Sequence, residues 1–192
     1  TQWLAKQGKS WGELYDGPST PYIKHGVPAE HHQSTWCANR AIDFIREQKG
    51  APWFFSFNCF APHHPFDPPA DYLARYEPDE MPLPKTRPGE LDTKTSYQQL
   101  DSQYAHNDPS SYDVAAMTDA DKREVTAAYY AMIEHIDEGV GRMITALEAT
   151  GQLENTIVIF MSDNGHSEET GNRIRVANHK SGYPKGHFYG AS

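Results

Sequence analysis

Asp163 and Asn164 follow an unbroken apolar run, Ile157 to Met161, in the stretch Asn155-Thr-Ile-Val-Ile-Phe-Met-Ser-Asp-Asn-Gly-His166. A carboxylate and a carboxamide are hard oxygen donors, the kind that calcium or magnesium takes. Asp-Asn-Gly is equally an ordinary turn sequence, so these residues by themselves leave turn and cation site both open. A second chemistry-bearing group is Ala61-Pro-His-His-Pro-Phe66. His63 lies in a proline-stiffened backbone, and a rigid mount suits a proton donor or an anion contact. A histidine that titrates near neutrality can deliver a proton to a leaving alcohol. A surface-loop histidine is the plain alternative, and it suits His64 better than His63.

Behind the Asp-Asn pair the charge changes sign. Thr170 to Ser192 holds no Asp or Glu, but it does hold Arg173, Arg175, Lys180 and Lys185 with His179 and His187. Such a stretch favours an anionic substrate, or is simply a solvated basic loop. The whole chain points the other way, with a formal net charge of -9. That excludes the usual nucleic-acid binder, which needs a basic face.

Elements must bring these groups together. Ile157 to Met161 has no alternation of apolar and polar residues, so it reads as a strand buried on both faces of a parallel sheet. Trp53-Phe-Phe-Ser-Phe-Asn-Cys59 is short, aromatic and bounded by prolines, and reads as a second buried strand. In an open parallel sheet, ligand groups gather past the carboxyl ends of the strands. His63 after one strand and Asp163-Asn164 after the other would then open onto the same edge.

Two helices complete the unit. Ser34 or Thr35 is a candidate cap, followed by Ala38, Ala41, Ile42 and Ile45 at helical spacing, with Gly50 and Pro52 closing the run. The longest helix starts at Thr118 and Asp121 and carries Val125, Tyr129, Met132, Ile136, Val140, Met143 and Leu147 on one face. Gly151 stops it. Asp137 and Glu138 fall beside the stripe, in a structural or solvated role. Helix, short loop and buried strand make half of an α/β crossover. Residues 1 to about 32 have no sustained period and read as an irregular surface segment. Residues 67 to 118 are broken by Pro68, Pro69, Pro78, Pro82, Pro84 and Pro88, and so long a loop-like stretch is a functional or variable insertion. Short helices fit within 71–76 and 96–112.

Hydrophobic residues make up 38% of the 192, enough to support a globular core. Cys37 and Cys59 are the two cysteines, and neither has a metal-ligand spacing. Buried thiols are the expected state, with a single bridge between them still open. No apolar run is long enough to span a membrane.

Ala61-Pro-His-His-Pro-Phe66, Tyr129-Tyr130, Ile136-Asp-Glu-Gly-Val-Gly141 and Asn155-Thr-Ile-Val-Ile-Phe-Met-Ser-Asp-Asn-Gly165 occur in that order. Together they resemble the type I sulfatases of the alkaline phosphatase-like superfamily, from about residue 30 to the C-terminus. The resemblance implies an α/β core with a mostly parallel sheet flanked by helices. It implies one divalent cation, usually Ca2+ with Mg2+ as an alternative, and matches Asp163 and Asn164 to its ligands. It matches His63 to the histidine of His-x-Pro near the sulfate ester, leaving His64 at the variable position. His166, Lys180 and Lys185 become candidate substrate-pocket residues. The family's nucleophile is a formylglycine made in a Cys/Ser-x-Pro-x-Arg motif.

That motif is absent here: Cys37 is followed by Ala-Asn-Arg and Cys59 by Phe-Ala-Pro. The resemblance therefore places the formylglycine, the remaining metal ligands and the family's Lys outside the 192 residues. The chain is expected to be part of a single sulfatase catalytic domain, truncated at both ends, with the Pro-rich insertion at about 67–118. The implied activity is hydrolysis of a sulfate ester, with a sulfated polysaccharide among the possible substrates. A phosphodiesterase or phosphonate hydrolase of the same superfamily is one alternative, and a non-catalytic binder of sulfated glycans is another. Analogy with relatives suggests an exported or lysosomal protein.

Overall fold

The longest stretch of regular structure is a helix pair. In the computed structural model, residues 2–10, 12–15, 20–24, 27–48, 50–63, 65–96, 98–99 and 117–161 are described. They contain helices α1 (Gln2–Lys6), α2 (Gln33–Glu47), α3 (Ala70–Leu73) and α4 (Asp119–Ala149). Short 3-10 turns occur at Gly12–Leu14, Ala29–His31, Pro78–Glu80, Glu90–Thr93 and Leu153–Asn155.

The start of α4 is a capping box. The Thr118 N–H donates to Asp121 Oδ2 at 2.7 Å, and the Asp121 N–H donates to Thr118 Oγ1 at 3.2 Å. Two backbone donors at the helix start are thus satisfied reciprocally. The far end closes on Gly151, at φ 69°. The Gln152 N–H donates to Leu147 O and the Gly151 N–H to Glu148 O, each at 2.9 Å. This is a Schellman closure, which needs a left-handed residue where glycine now stands.

The buried face of α4 is centred away from the expected stripe. Ala127, Ala128, Ala131, Met132, His135, Gly139, Met143, Ala146 and Leu147 are buried. Val125, Tyr129, Ile136 and Val140 are half-buried at its flank. Close approach explains the displacement. A Cβ on Gly139 would come within 3.2 Å of the Ala38 Cβ on α2, so small residues sit where the helices touch. Ala41, Ile42 and Ile45 of α2 pack with Met143, Ala146 and Leu147 of α4, and Trp53 and Phe57 close over that cluster.

The cap of α2 also differs from expectation. His32 takes that place, its Nδ1 accepting from the Ser34 N–H at 3.1 Å, while Ser34 itself is buried in the first turn. An imidazole acceptor does here what a hydroxyl usually does.

Residues before α2 form more than a surface segment. Leu4, Leu14 and Val27 make a small buried cluster with Trp3 and Tyr15. Three widely spaced apolar residues meet here without any helical or strand period to announce them.

The expectation of strands buried on both faces is not met. Odd-numbered Trp53, Phe57 and Cys59 are half-buried, while Phe54 is 89% exposed and Phe60 53%. The stretch 53–59 thus has one covered face, laid against α2. Ile157 at 88% and Phe160 at 98% are exposed with their neighbours. Among the described residues no ladder pairs either stretch, and the recorded β-contact is a parallel bridge between Ile23 and Phe66.

The chain divides into two compact units, Thr1–Pro82 with Arg123–Ile159 and Leu83–Lys122 with Phe160–Ser192. The first holds both apolar clusters just described. Within the second, the Gln99 side chain donates to the carbonyls of Leu91 and Lys94 at 2.9 and 3.2 Å, closing the Glu90–Thr93 turn. Among the described residues no helix is long and apolar enough to cross a membrane.

Candidate functional site

The turn that carries His63 is pinned on both sides. His63 itself is half-buried. Its N–H donates to Phe60 O at 3.1 Å, and its ring lies 4.4 Å from that of Phe60 at an interplanar angle of 36°. Upstream, the Cys59 thiol meets Ser34 and Cys37 on α2. Downstream, Phe66 bridges to Ile23, and the Lys24 N–H donates to Phe66 O at 2.8 Å. Pro68 and Pro69 are fully buried just beyond. A side chain on so short a span between fixed points keeps its position, which is what proton transfer demands.

Asp67 ties the downstream side into a half-buried polar chain that ends on buried His32. Its Oδ2 accepts from the Tyr15 hydroxyl at 2.8 Å, and its Oδ1 lies 3.6 Å from His32 Nε2. Because His32 Nδ1 is an acceptor, the ring proton of the neutral form sits on Nε2, facing Asp67. Burial, and then the Asp67 carboxylate that accepts its proton, push the Tyr15 phenol far above its ordinary range. Tyr15 therefore stays a donor at any working pH.

A second buried imidazole lies behind the first. His135 on α4 is 5% exposed, and its Nε2 is 2.8 Å from Thr35 Oγ1. Its ring stands edge-on to His32 at 4.8 Å and lies 4.7 Å from Tyr72. Burial first, and the neighbouring His32 next, lower its pKa to about 4. Tyr72 is raised to about 12 by burial and by Glu138, which accepts its hydroxyl proton at 2.6 Å. These groups link α2, α3 and α4. Sequence reasoning missed them. The signal available was His31-His32 directly before a helix, with Asp67 just after Phe66.

Of the residues expected to carry chemistry, His63 is the one placed. Asp163, Asn164, His166, Lys180 and Lys185 lie outside the described residues. Among the described residues no group of three or more His, Cys, Asp or Glu side chains is disposed to hold a metal ion. Two clefts, of about 490 and 400 Å³, flank α2 and α4, and His63 lines neither.

Comparison with known proteins gives these features a family. The family model described as Sulfatase matches residues 7–188. The chain is 29% identical over 180 residues to the multifunctional alkaline phosphatase superfamily protein PehA of Trinickia caryophylli, covering 85% of this chain and 35% of that protein. It is 35% identical over 141 residues to an arylsulfatase of Clostridium perfringens, covering 73% of this chain and 28% of that one. Its fold is similar to that of a phosphonate monoester hydrolase from Silicibacter pomeroyi. There the TM-score is 0.62 and the identity 22%, over 80% of this chain and 33% of that one. The chain spans about a third of the length of the curated relatives it matches. With the family model matched over residues 7–188 of the 192, the chain belongs to the Sulfatase family.

Proposed function

We propose that this chain is part of the catalytic domain of a sulfuric ester hydrolase, and that His63 donates a proton to the leaving oxygen. The observation that carries the reading is the sulfatase match over residues 7–188, within which His63 sits on a turn anchored at both ends. Expulsion of an alkoxide at neutral pH is slow. A positioned imidazole that protonates the leaving oxygen as the sulfur–oxygen bond breaks removes much of that barrier. Phe60 stacks on the ring and the Phe60 carbonyl holds its backbone, so His63 is oriented before substrate arrives.

Asp163 and Asn164 are the proposed ligands of one divalent cation, Ca2+ or Mg2+. His166, Lys180 and Lys185 are proposed to line the anionic end of the substrate. When bound, the cation would supply neutralisation of the sulfate oxygens. A formylglycine from outside these residues would supply the nucleophile, since no Cys/Ser-x-Pro-x-Arg occurs among them. Residues 53–59 and 156–161 are read as strands of one mostly parallel sheet whose remaining neighbours lie beyond the described residues. Exposed Phe54, Ile157 and Phe160 support this, since apolar strand faces left open are ordinarily covered. Residues 67–118 are read as an insertion within the same domain.

A second reading is hydrolysis of a phosphonate or phosphate diester. It is favoured by the shared fold with a phosphonate monoester hydrolase. Kinetics of the full-length protein on an aryl sulfate and on an aryl phosphodiester separate the two. The sulfatase reading expects the higher kcat/KM on the sulfate, and a preference for the diester overturns it.

A further inference from the structure

The aromatic stretch 53–59 runs along α2 in the opposite sense, and this brings the two cysteines face to face. Phe44 of α2 meets Phe55 at 5.0 Å and Trp53 at 5.6 Å between ring centroids. Going back seven residues along α2, from Phe44 to Cys37, covers about 10 Å. Going forward four residues from Phe55 to Cys59 covers about 13 Å of extended chain. The two paths are similar in length, so Cys59 comes level with the Cys37 turn of α2. Ser34, Cys37, Ala41 and Phe44 share one helix face, and Trp53, Phe55, Phe57 and Cys59 share one side of an extended chain. The Cys59 thiol lies near enough to Cys37 and Ser34 for both to act on its ionisation, and both thiols are free and half-buried.

We propose that Cys37 and Cys59 form a redox-linkable pair, which closes to a disulfide by exchange with a low-molecular-weight disulfide and staples the stretch leading to His63 onto α2. Burial pushes both thiols up, Cys59 to about 11. Cys37, with the smaller rise, is the first nucleophile, because exchange proceeds through the thiolate. Its sulfur attacks the reagent disulfide, the reagent S–S bond breaks and one thiol leaves. Cys59 sulfur then displaces the second thiol from the mixed disulfide. Two protein thiols lose two protons and two electrons, and the reagent disulfide gains both as two thiols. His63 lies four residues beyond Cys59, so the bridge fixes the upstream end of its turn by a covalent bond. This inference does not rest on the sulfatase reading.

The test is to treat the full-length folded protein with oxidised glutathione at mildly alkaline pH, alkylate the remaining thiols and map the peptides. The expected product joins the peptides of Cys37 and Cys59, with the loss of two hydrogens, and is reversed by dithiothreitol. In the C59S variant, glutathione remains attached at Cys37. The bridged protein melts several degrees above the reduced form, a shift that the C37A/C59A double variant does not show. Stable glutathione adducts on both cysteines of the wild type would overturn the proposal. So would the absence of any reaction while folded, or a fall in melting temperature on bridging.

Discussion

The α2–α4 pair and the two apolar stretches 53–60 and 156–161 both carry apolar side chains, but these are covered to very different extents. The helices find their partners within the chain: Ala38 meets Gly139, and Ile42 and Ile45 meet Met143 and Leu147. The stretch 53–60 has one face on α2 and one face open, and Ile157 to Met161 is exposed throughout. A helix satisfies its own backbone along most of its length, whereas a strand must find its backbone partners in another strand as well as cover for its faces. The stability visible in the chain therefore lies in the helical layer and its buried histidines. The proposed chemistry lies at the ends of stretches that no ladder pairs among the described residues.

The largest test of that contrast is Phe54, which is 89% exposed. If a sheet face covers it in the full-length protein, Phe54→Ala there costs about 3–5 kcal/mol by chemical denaturation. If it stays exposed in the whole protein, the cost remains near zero and the proposed sheet is wrong.

The helical layer has its own test, in acid. His135 has a folded pKa of about 4 against an ordinary 6.5. The unfolded chain therefore takes up a proton in a range where the folded chain does not. Stability conferred by the neutral ring is complete above pH 6.5 and is lost as pH falls toward 4, by on the order of 3 kcal/mol. His32, Tyr72, Asp71, Glu138 and Arg142 surround the ring, so the slope reports that cluster. Denaturation midpoints between pH 7 and pH 4 should show the loss, and His135→Phe should flatten it. The smallest effect belongs to the start of α4. Thr118→Ala removes one half of the capping box and should cost about 1 kcal/mol, read as a lower denaturation midpoint.

Legibility follows the same division. The α4 helix was readable because its signals are local: Thr118 with Asp121 at one end and Gly151 at the other. The apolar face of α2 was readable for the same reason. The cap of α2 was not, since a histidine acceptor is outside the usual Ser, Thr, Asp and Asn vocabulary. Nor was the true centre of the α4 face, because alanines and Gly139 carry little hydrophobic signal yet mark where the helices touch. The Leu4–Leu14–Val27 cluster joins residues with no shared period, so no pattern could announce it. His63 stood out through its prolines. The polar chain from Tyr15 through Asp67 to His32 did not, because its members are far apart in sequence and meet only once folded.

The central claim concerns His63, and leaving-group dependence tests it most directly. Wild type and His63→Ala in the full-length protein are compared on aryl sulfates whose phenols range from strongly to weakly acidic, with folding checked by circular dichroism. A proton donor matters most when the leaving oxygen is basic. The account predicts a loss of kcat of about a hundredfold or more on the weakly acidic phenols, shrinking toward none on the most acidic. An equal loss across the series, or no loss at all, would contradict it.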